Sequence, residues 1–293
     1  MRWARKLKLA GESVTLILRD QQKLHEFAAA GSGIRYLSHL GDEFVPFPAT
    51  SLDDPSLQID NLLLCTKSYS LTGAFEAVQG RCNPNATLVL LCNGYGVQQQ
   101  VAARAESLKV WAASTTSGAN TATPFHLTLA GDGYTDIGPL NLAAMKSQPP
   151  LTKLPRHRLS DDIETTLWRK VAVNACINPL TCIYQVTNGE LLSHSEGYTR
   201  MIRVASEVER LADRLEKPLF DQPLIDIAAE VCRTTAINRS SMLQDRHNSR
   251  RSEIDHITGA LLALAKKNQL VLSENQQLLR EIQAIESHLP PVS

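Results

Sequence analysis

Lys170, Asn174 and Asn178 recur at every fourth position of the segment LWRKVAVNACINPLT. At ~100° per residue an α-helix carries them round by only about 80° in total, so one strip of helix would present an amine and two carboxamides. A lysine is a cation and proton donor at neutral pH, and carboxamides are neutral donors and acceptors. Together they are equipment for hydrogen bonding and proton transfer. The neighbours Val171, Ala175 and Ile177 are apolar, and amides buried among them must find partners. A solvated helix face is the plain alternative. Pro179 cannot donate to the carbonyl of Ala175, so a kink is expected there.

Polar residues also close three apolar, strand-like runs. Arg19 ends VTLILR, Lys67 stands near the end of NLLLCTKS, and Asn93-Gly94 follows ATLVLLC. Open parallel sheets bind ligands outside the carboxyl ends of their strands. In a dinucleotide-binding sheet, a cation at the position of Arg19 suits the 2′-phosphate of NADP(H), where an acid would suit the ribose of NAD(H). The plain alternatives are a solvated Arg and an ordinary Asn-Gly turn. Gly94 and Gly96 would let a ligand approach the backbone closely.

A third polar stretch, INRSSMLQDRHNSRRSEIDHITG, precedes an apolar helical period. It holds Ser240, Ser241, Asp245, Glu253 and Asp255. Ser252 to Asp255 has capping-box spacing, and Arg246, Arg250 and Arg251 read as surface charge.

The elements that must position these residues fall into two textures. Up to about residue 150, apolar runs alternate with helix-like stretches at 21–30 and 71–78, the pattern of βαβ units around a parallel sheet covered on both faces. Residues 126–138, with Gly131-Asp132-Gly133 at the centre, read as a hairpin closing the sheet. From residue 151 the pattern turns helical, with an apolar stripe at Leu167, Val171, Ala175 and Leu180. Further helices are expected at about 195–215, 222–235, 252–267 and 273–286. The expected fold is an α/β parallel-sheet domain, 1–150, followed by an all-α domain, 151–293.

Composition narrows the partners. Among 293 residues, 30 Lys+Arg balance 30 Asp+Glu, leaving no global field for a nucleic acid or an acidic membrane. No apolar run approaches the ~18–20 residues of a membrane span. The six cysteines and eight histidines show neither CxxC nor metal-ligand spacing, and the cysteines read as buried free thiols in a reducing cytoplasm. The basic opening MRWARKLKLA lacks the apolar core of a targeting segment.

Taken together, LWRKVAVNACINPLT, NGEL (188–191), SSMLQD (240–245), EIDHITG (253–259), Lys67 and CNGYG resemble the ketopantoate reductase family, in order and separation over essentially the whole chain. The resemblance implies an NADPH-dependent 2-dehydropantoate 2-reductase of pantothenate and coenzyme A synthesis, with a Rossmann-type first domain and a helical second domain. Its implied substrate is a small 2-oxo acid and its implied cofactor NADPH/NADP, acting in a cytoplasmic monomer or homodimer. Lys170 matches the catalytic lysine, which would protonate the alkoxide left by hydride transfer. Glu253 matches the family's acid on the substrate hydroxyl side, which could also orient or tune Lys170 across the cleft, and it stands among the implied catalytic and cofactor-binding residues. Asn174, Asn178 and Ser241 match substrate-binding positions, Lys67 and Asn93 positions shared by substrate and cofactor, and Arg19 the cation at the 2′-phosphate. A reductase of another 2-oxo acid, or a non-catalytic member with impaired cofactor binding, are the alternatives.

One feature departs from the family. Its members open with a strand and a G-x-G-x-x-G loop, whereas the first glycines here are Gly11, Gly31, Gly33 and Gly41, and none completes that pattern. MRWARKLKLA aligns with the helix after the glycine turn. A start at an internal methionine is expected in preference to a true loss of the loop.

Overall fold

The computed structural model describes residues 1–39 and 41–290, save the side chain of residue 122. The chain runs through α1 (Arg2–Leu9), β1 (Leu16–Leu18), α2 (Gln21–Ala29), β2 (Gly33–Ser38), β3 (Gly41–Pro46), β4 (Ala49–Ser51), β5 (Ile59–Leu64), α3 (Ser68–Val78), β6 (Cys82–Leu90), α4 (Val97–Arg104), β7 (Lys109–Thr115), β8 (Ala119–Thr123), β9 (His126–Leu129), β10 (Thr135–Pro139), α5 (Leu142–Met145) and β11 (His157–Leu159). Seven helices follow: α6 (Ile163–Tyr184), α7 (Asn188–Ser193), α8 (Ser195–Arg214), α9 (Leu224–Thr234), α10 (Ser241–His247), α11 (Ile254–Lys267) and α12 (Ser273–Ile285). Two compact units result. One comprises Met1–Cys65, Gly73–Leu91 and Val101–Ile163; the other comprises Thr66–Thr72, Cys92–Gln100 and Glu164–Ser293.

The first unit is Rossmann-like. Its five-stranded sheet has the order β11-β10-β7-β6-β5, with β5, β6 and β7 parallel. The centre of β7, Val110 to Ser114, is buried without alternation, as a strand covered on both faces requires. β1 pairs in parallel with β4, as a separate two-stranded sheet. A third sheet, β3-β2-β9-β8, brings Ile34, Tyr36 and Leu127 into one core cluster with Phe27 of α2, Phe125 and Ala4 of α1. The basic face of α1 is anchored too. Lys6 Nζ lies 2.6 Å and Arg2 Nη2 2.8 Å from Asp132 Oδ1.

Residues 126–138 do not form a hairpin: β9 joins β2 in parallel, with Leu127 opposite Tyr36, while β10 runs antiparallel to β7, with Ile137 opposite Ala113. Alternation and a Gly-Asp-Gly turn are local signals, and they do not say which sheet each strand joins. Here the turn carries the chain from one sheet to another, with Asp132 drawn to Arg2 and Lys6.

The second unit is helical. Trp168, Val171, Ala175, Cys176 and Leu180 of α6 are buried against Val204, Val208 and Leu211 of α8, Ala228 and Cys232 of α9, Leu261 of α11, and Leu278 and Ile282 of α12. α6 runs through Pro179 as one helix, Ile163–Tyr184. Just past the proline, the Thr181 hydroxyl is 3.0 Å from the carbonyls of both Ile177 and Asn178. Glu207, buried on α8, accepts the amides of Glu274 and Asn275 at 2.8 and 3.0 Å, satisfying donors that the first turn of α12 leaves open. Arg200 joins the same helices through Glu274 at 2.6 Å and Glu281 at 3.0 Å. Cys92, Cys176, Cys182 and Cys232 are buried as expected, whereas Cys82 is half-buried and Cys65 exposed; burial pushes the Cys182 and Cys232 thiols up to about 11, leaving them protonated at neutral pH. No helix of the described residues is long and apolar enough to cross a membrane.

Candidate active site

β5 ends at Leu64 and β6 at Leu90, so Lys67 and Asn93 stand in the loops beyond their strands, three residues on in each case. Both loops belong to the second unit. They converge on Glu253, the buried residue that precedes α11. One carboxylate oxygen of Glu253 accepts the Ser68 amide at 2.9 Å and the other accepts the Asn93 carboxamide at 2.8 Å. The Lys67 ammonium lies 3.7 Å from Glu253 and 2.5 Å from Asp245. Its burial opposes the charge, but Glu253 and Asp245 outweigh that effect and hold Lys67 above the ordinary lysine pKa. Lys67 is therefore a fixed cation at neutral pH.

Asp245 is placed by α10. Ser240 caps this helix by accepting the Leu243 amide at 3.1 Å, and the Thr181 hydroxyl of α6 meets Ser240 at 2.7 Å. Arg246 donates to the carbonyl of Cys182 near the end of α6 at 2.6 Å, and Arg250 Nε stands 3.5 Å from Asp245. Arg246 is thus a structural anchor rather than the surface charge expected of it. The capping box expected from Ser252 does not form either. The Ser252 hydroxyl accepts the Ile254 amide at 3.3 Å, and the Ser252 amide donates to Glu286.

α6 presents the other candidates. Asn178 is buried and its carboxamide lies 3.5 Å from the Ser241 hydroxyl. Asn174 and Lys170 follow one and two turns nearer the helix start, each half-buried. Trp168, one residue pair further back, packs on Tyr95 of the CNGYG loop with ring centroids 5.5 Å apart. The structure therefore gathers Lys67, Asn93 and Glu253 in one cluster and Asn178 with Ser241 in another contact. Arg19 belongs to the first unit, where it is exposed and paired with Asp20 at 2.8 Å.

Gly94 has a specific mechanical use. Its φ is +90°, and a Cβ there would fall 2.6 Å from the His256 carbonyl oxygen, which accepts the Tyr95 amide at 3.0 Å. The CNGYG loop is clasped to α11 by backbone contact that only glycine allows. Gly94→Ala is expected to lose about 2–4 kcal/mol in urea unfolding, from steric overlap and strain together. Gly96→Ala, which strains φ but meets open space, should lose about 1 kcal/mol. Equal losses at the two positions would refute the clasp.

The family model described as ketopantoate reductase PanE/ApbA matches residues 1–141, and its C-terminal counterpart matches residues 162–286. The chain belongs to the ketopantoate reductase family. The 2-dehydropantoate 2-reductase of Archaeoglobus fulgidus is 32% identical over 289 residues, 97% of this chain and 93% of that one. Its counterpart from Vibrio cholerae is 28% identical over 291 residues, with the same shares covered. Among solved structures, a PanE/ApbA family ketopantoate reductase from Ralstonia eutropha superposes with a TM-score of 0.82 at 26% identity, covering 97% of this chain and 94% of that one. A D-mandelate dehydrogenase with NADH and anilino(oxo)acetate superposes with a TM-score of 0.86 at 23% identity, covering 98% and 94%, a likeness of fold.

In this member of the ketopantoate reductase family, sequence reasoning gave no role to Asp245, the acid nearest Lys67. The signal was present: Asp245 lies four residues after Ser241, and so on the same face of α10. The Ser68 amide was not foreseen, because a backbone group carries no residue-type signal.

Proposed function

We propose that this chain reduces 2-dehydropantoate to pantoate with NADPH. The observation that carries the reading is the clasp of Glu253 on Ser68 and Asn93, with Lys67 held on Asp245, in a chain of this family. The donor set fits a pyridine nucleotide. Asn93 and Lys67 offer a carboxamide and a fixed cation for the nicotinamide side, with the buried Glu253 carboxylate holding Asn93 in place, and Arg19 offers an exposed cation just after β1 for a 2′-phosphate. Within these 293 residues no G-x-G-x-x-G segment adds amides for the pyrophosphate. When bound, the reduced nicotinamide supplies the hydride.

The chain's own residues do the rest. Asn174, Asn178 and Ser241 hold the oxygens of the 2-oxo acid without adding a competing base. Lys170 faces the C2 oxygen, draws off its developing negative charge and gives it a proton from Nζ. Glu253 has both oxygens engaged by protein groups, so its work is to set Asn93 and the start of α3 in place.

Steady-state oxidation of NADPH tests the reading, with 2-dehydropantoate set against 2-oxo acids bearing aryl or unbranched side chains. A kcat/KM for 2-dehydropantoate at least tenfold above the others is expected. Equal rates would transfer the assignment to a general 2-oxo acid reductase, and no turnover with any of them would end it.

A further inference from the structure

Tyr95 is held at three points, each by a different part of the helical unit. Its amide donates to the His256 carbonyl of α11 at 3.0 Å. Its ring packs on Trp168 of α6, with centroids 5.5 Å apart and planes inclined at 60°. Its hydroxyl accepts the ammonium of Lys217, just past the end of α8, at 3.3 Å. Lys217 closes the set. Its carbonyl accepts the Trp168 indole N–H at 3.3 Å, and its amide donates to the Ala212 carbonyl of α8 at 3.0 Å. Tyr95, Trp168 and Lys217 thus form a closed triangle of contacts that holds the CNGYG loop against α6.

The proposed reacting groups flank this triangle at equal remove. Asn93 lies two residues before Tyr95, and Lys170 lies two residues after Trp168. Resting on the reductase reading above, we infer that Tyr95 is a positioning residue for the reaction, its ring setting the Asn93 loop in register with the helix that carries Lys170. Glu253 and the Gly94 clasp fix the loop against the start of α11, and they leave its place relative to α6 open. The Tyr95 ring supplies that second reference. Hydride from the nicotinamide reaches C2 while Lys170 gives its proton to the attached oxygen, so the loop and α6 must keep one separation for both transfers.

The test is steady-state oxidation of NADPH with whichever 2-oxo acid the parent chain turns over fastest. Tyr95→Leu keeps an apolar side chain in a half-buried place and leaves the amide bond to His256, so folding is not at issue. Its kcat should fall by roughly ten- to a hundredfold, with KM for both substrates within about threefold of the parent. Tyr95→Phe keeps the ring contact and should retain most of the activity. A fall equal to that of Tyr95→Leu would move the role to the hydroxyl and overturn the inference. In a Lys170→Ala background, Tyr95→Leu should lower kcat by less than about threefold, because a group already removed cannot be misplaced. An undiminished effect there would show a general structural role and overturn the inference, as would an unchanged kcat in Tyr95→Leu alone. If the parent chain turns over no 2-oxo acid, the reductase reading itself is overturned, and the inference with it.

Discussion

Lys170→Ala should lower kcat by about 10²–10⁴, the range ascribed to a positioned general acid, and leave NADPH affinity within a few-fold of the parent. The asymmetry follows from where the charge develops. The C2 oxygen is a neutral carbonyl when substrate binds and an alkoxide after hydride arrives, so an ammonium beside it matters most in the transition state. Lys170 is half-buried on α6, two turns before buried Asn178. Trp168, 1% exposed and packed on Tyr95, fixes the helix beneath it. Replacement by alanine removes the donor and leaves that packing in place. Lys170→Arg separates the two duties of the group. It restores the positive charge but gives up a proton poorly, so partial recovery would assign the remainder to proton transfer. An unchanged kcat in Lys170→Ala would remove this lysine from the reaction.

The second large effect is expected at Glu253. Glu253→Ala strips acceptors from the Ser68 amide and the Asn93 carboxamide and leaves Lys67 with Asp245 as its remaining close acid. Removing one member of a buried, hydrogen-bonded charge cluster costs about 3–5 kcal/mol. Urea unfolding should show a loss of that order, together with a fall in kcat/KM of at least about 10²-fold as Asn93 is released. Glu253→Gln keeps the volume and one carbonyl oxygen, so most of the stability should return and the activity only in part. A Glu253→Ala protein with unfolding free energy within 0.5 kcal/mol of the parent and unaltered kcat/KM would show that the clasp is incidental.

The helices of the second unit were legible in the sequence because their apolar period is long, and the periodic stripe on α6 marks the core that the structure realises. The family motifs singled out the polar residues now found together, since Lys67, Asn93 and Glu253 meet in one cluster. What escaped was set by distance along the chain. Lys67 and Asp245 are 178 residues apart, and no local pattern announces their contact. The hairpin reading failed for the same reason. Residues 126–138 carry a good local turn, but α1 holds that turn and each strand finds its partner elsewhere. Ser252 has the spacing of a capping residue, yet its amide is taken up by Glu286 and Glu253 is committed to Ser68 and Asn93.

Glu253 receives its partners from two short stretches that lie far upstream in the chain, 66–72 and 92–100. The cluster is therefore not inherited with either half of the gene alone. A chimera joining the front of one family member to the helices of another would pair one protein's Lys67 and Asn93 loops with the other's acid. Exchanges that keep these loops and the residue preceding α11 together are expected to preserve the cluster.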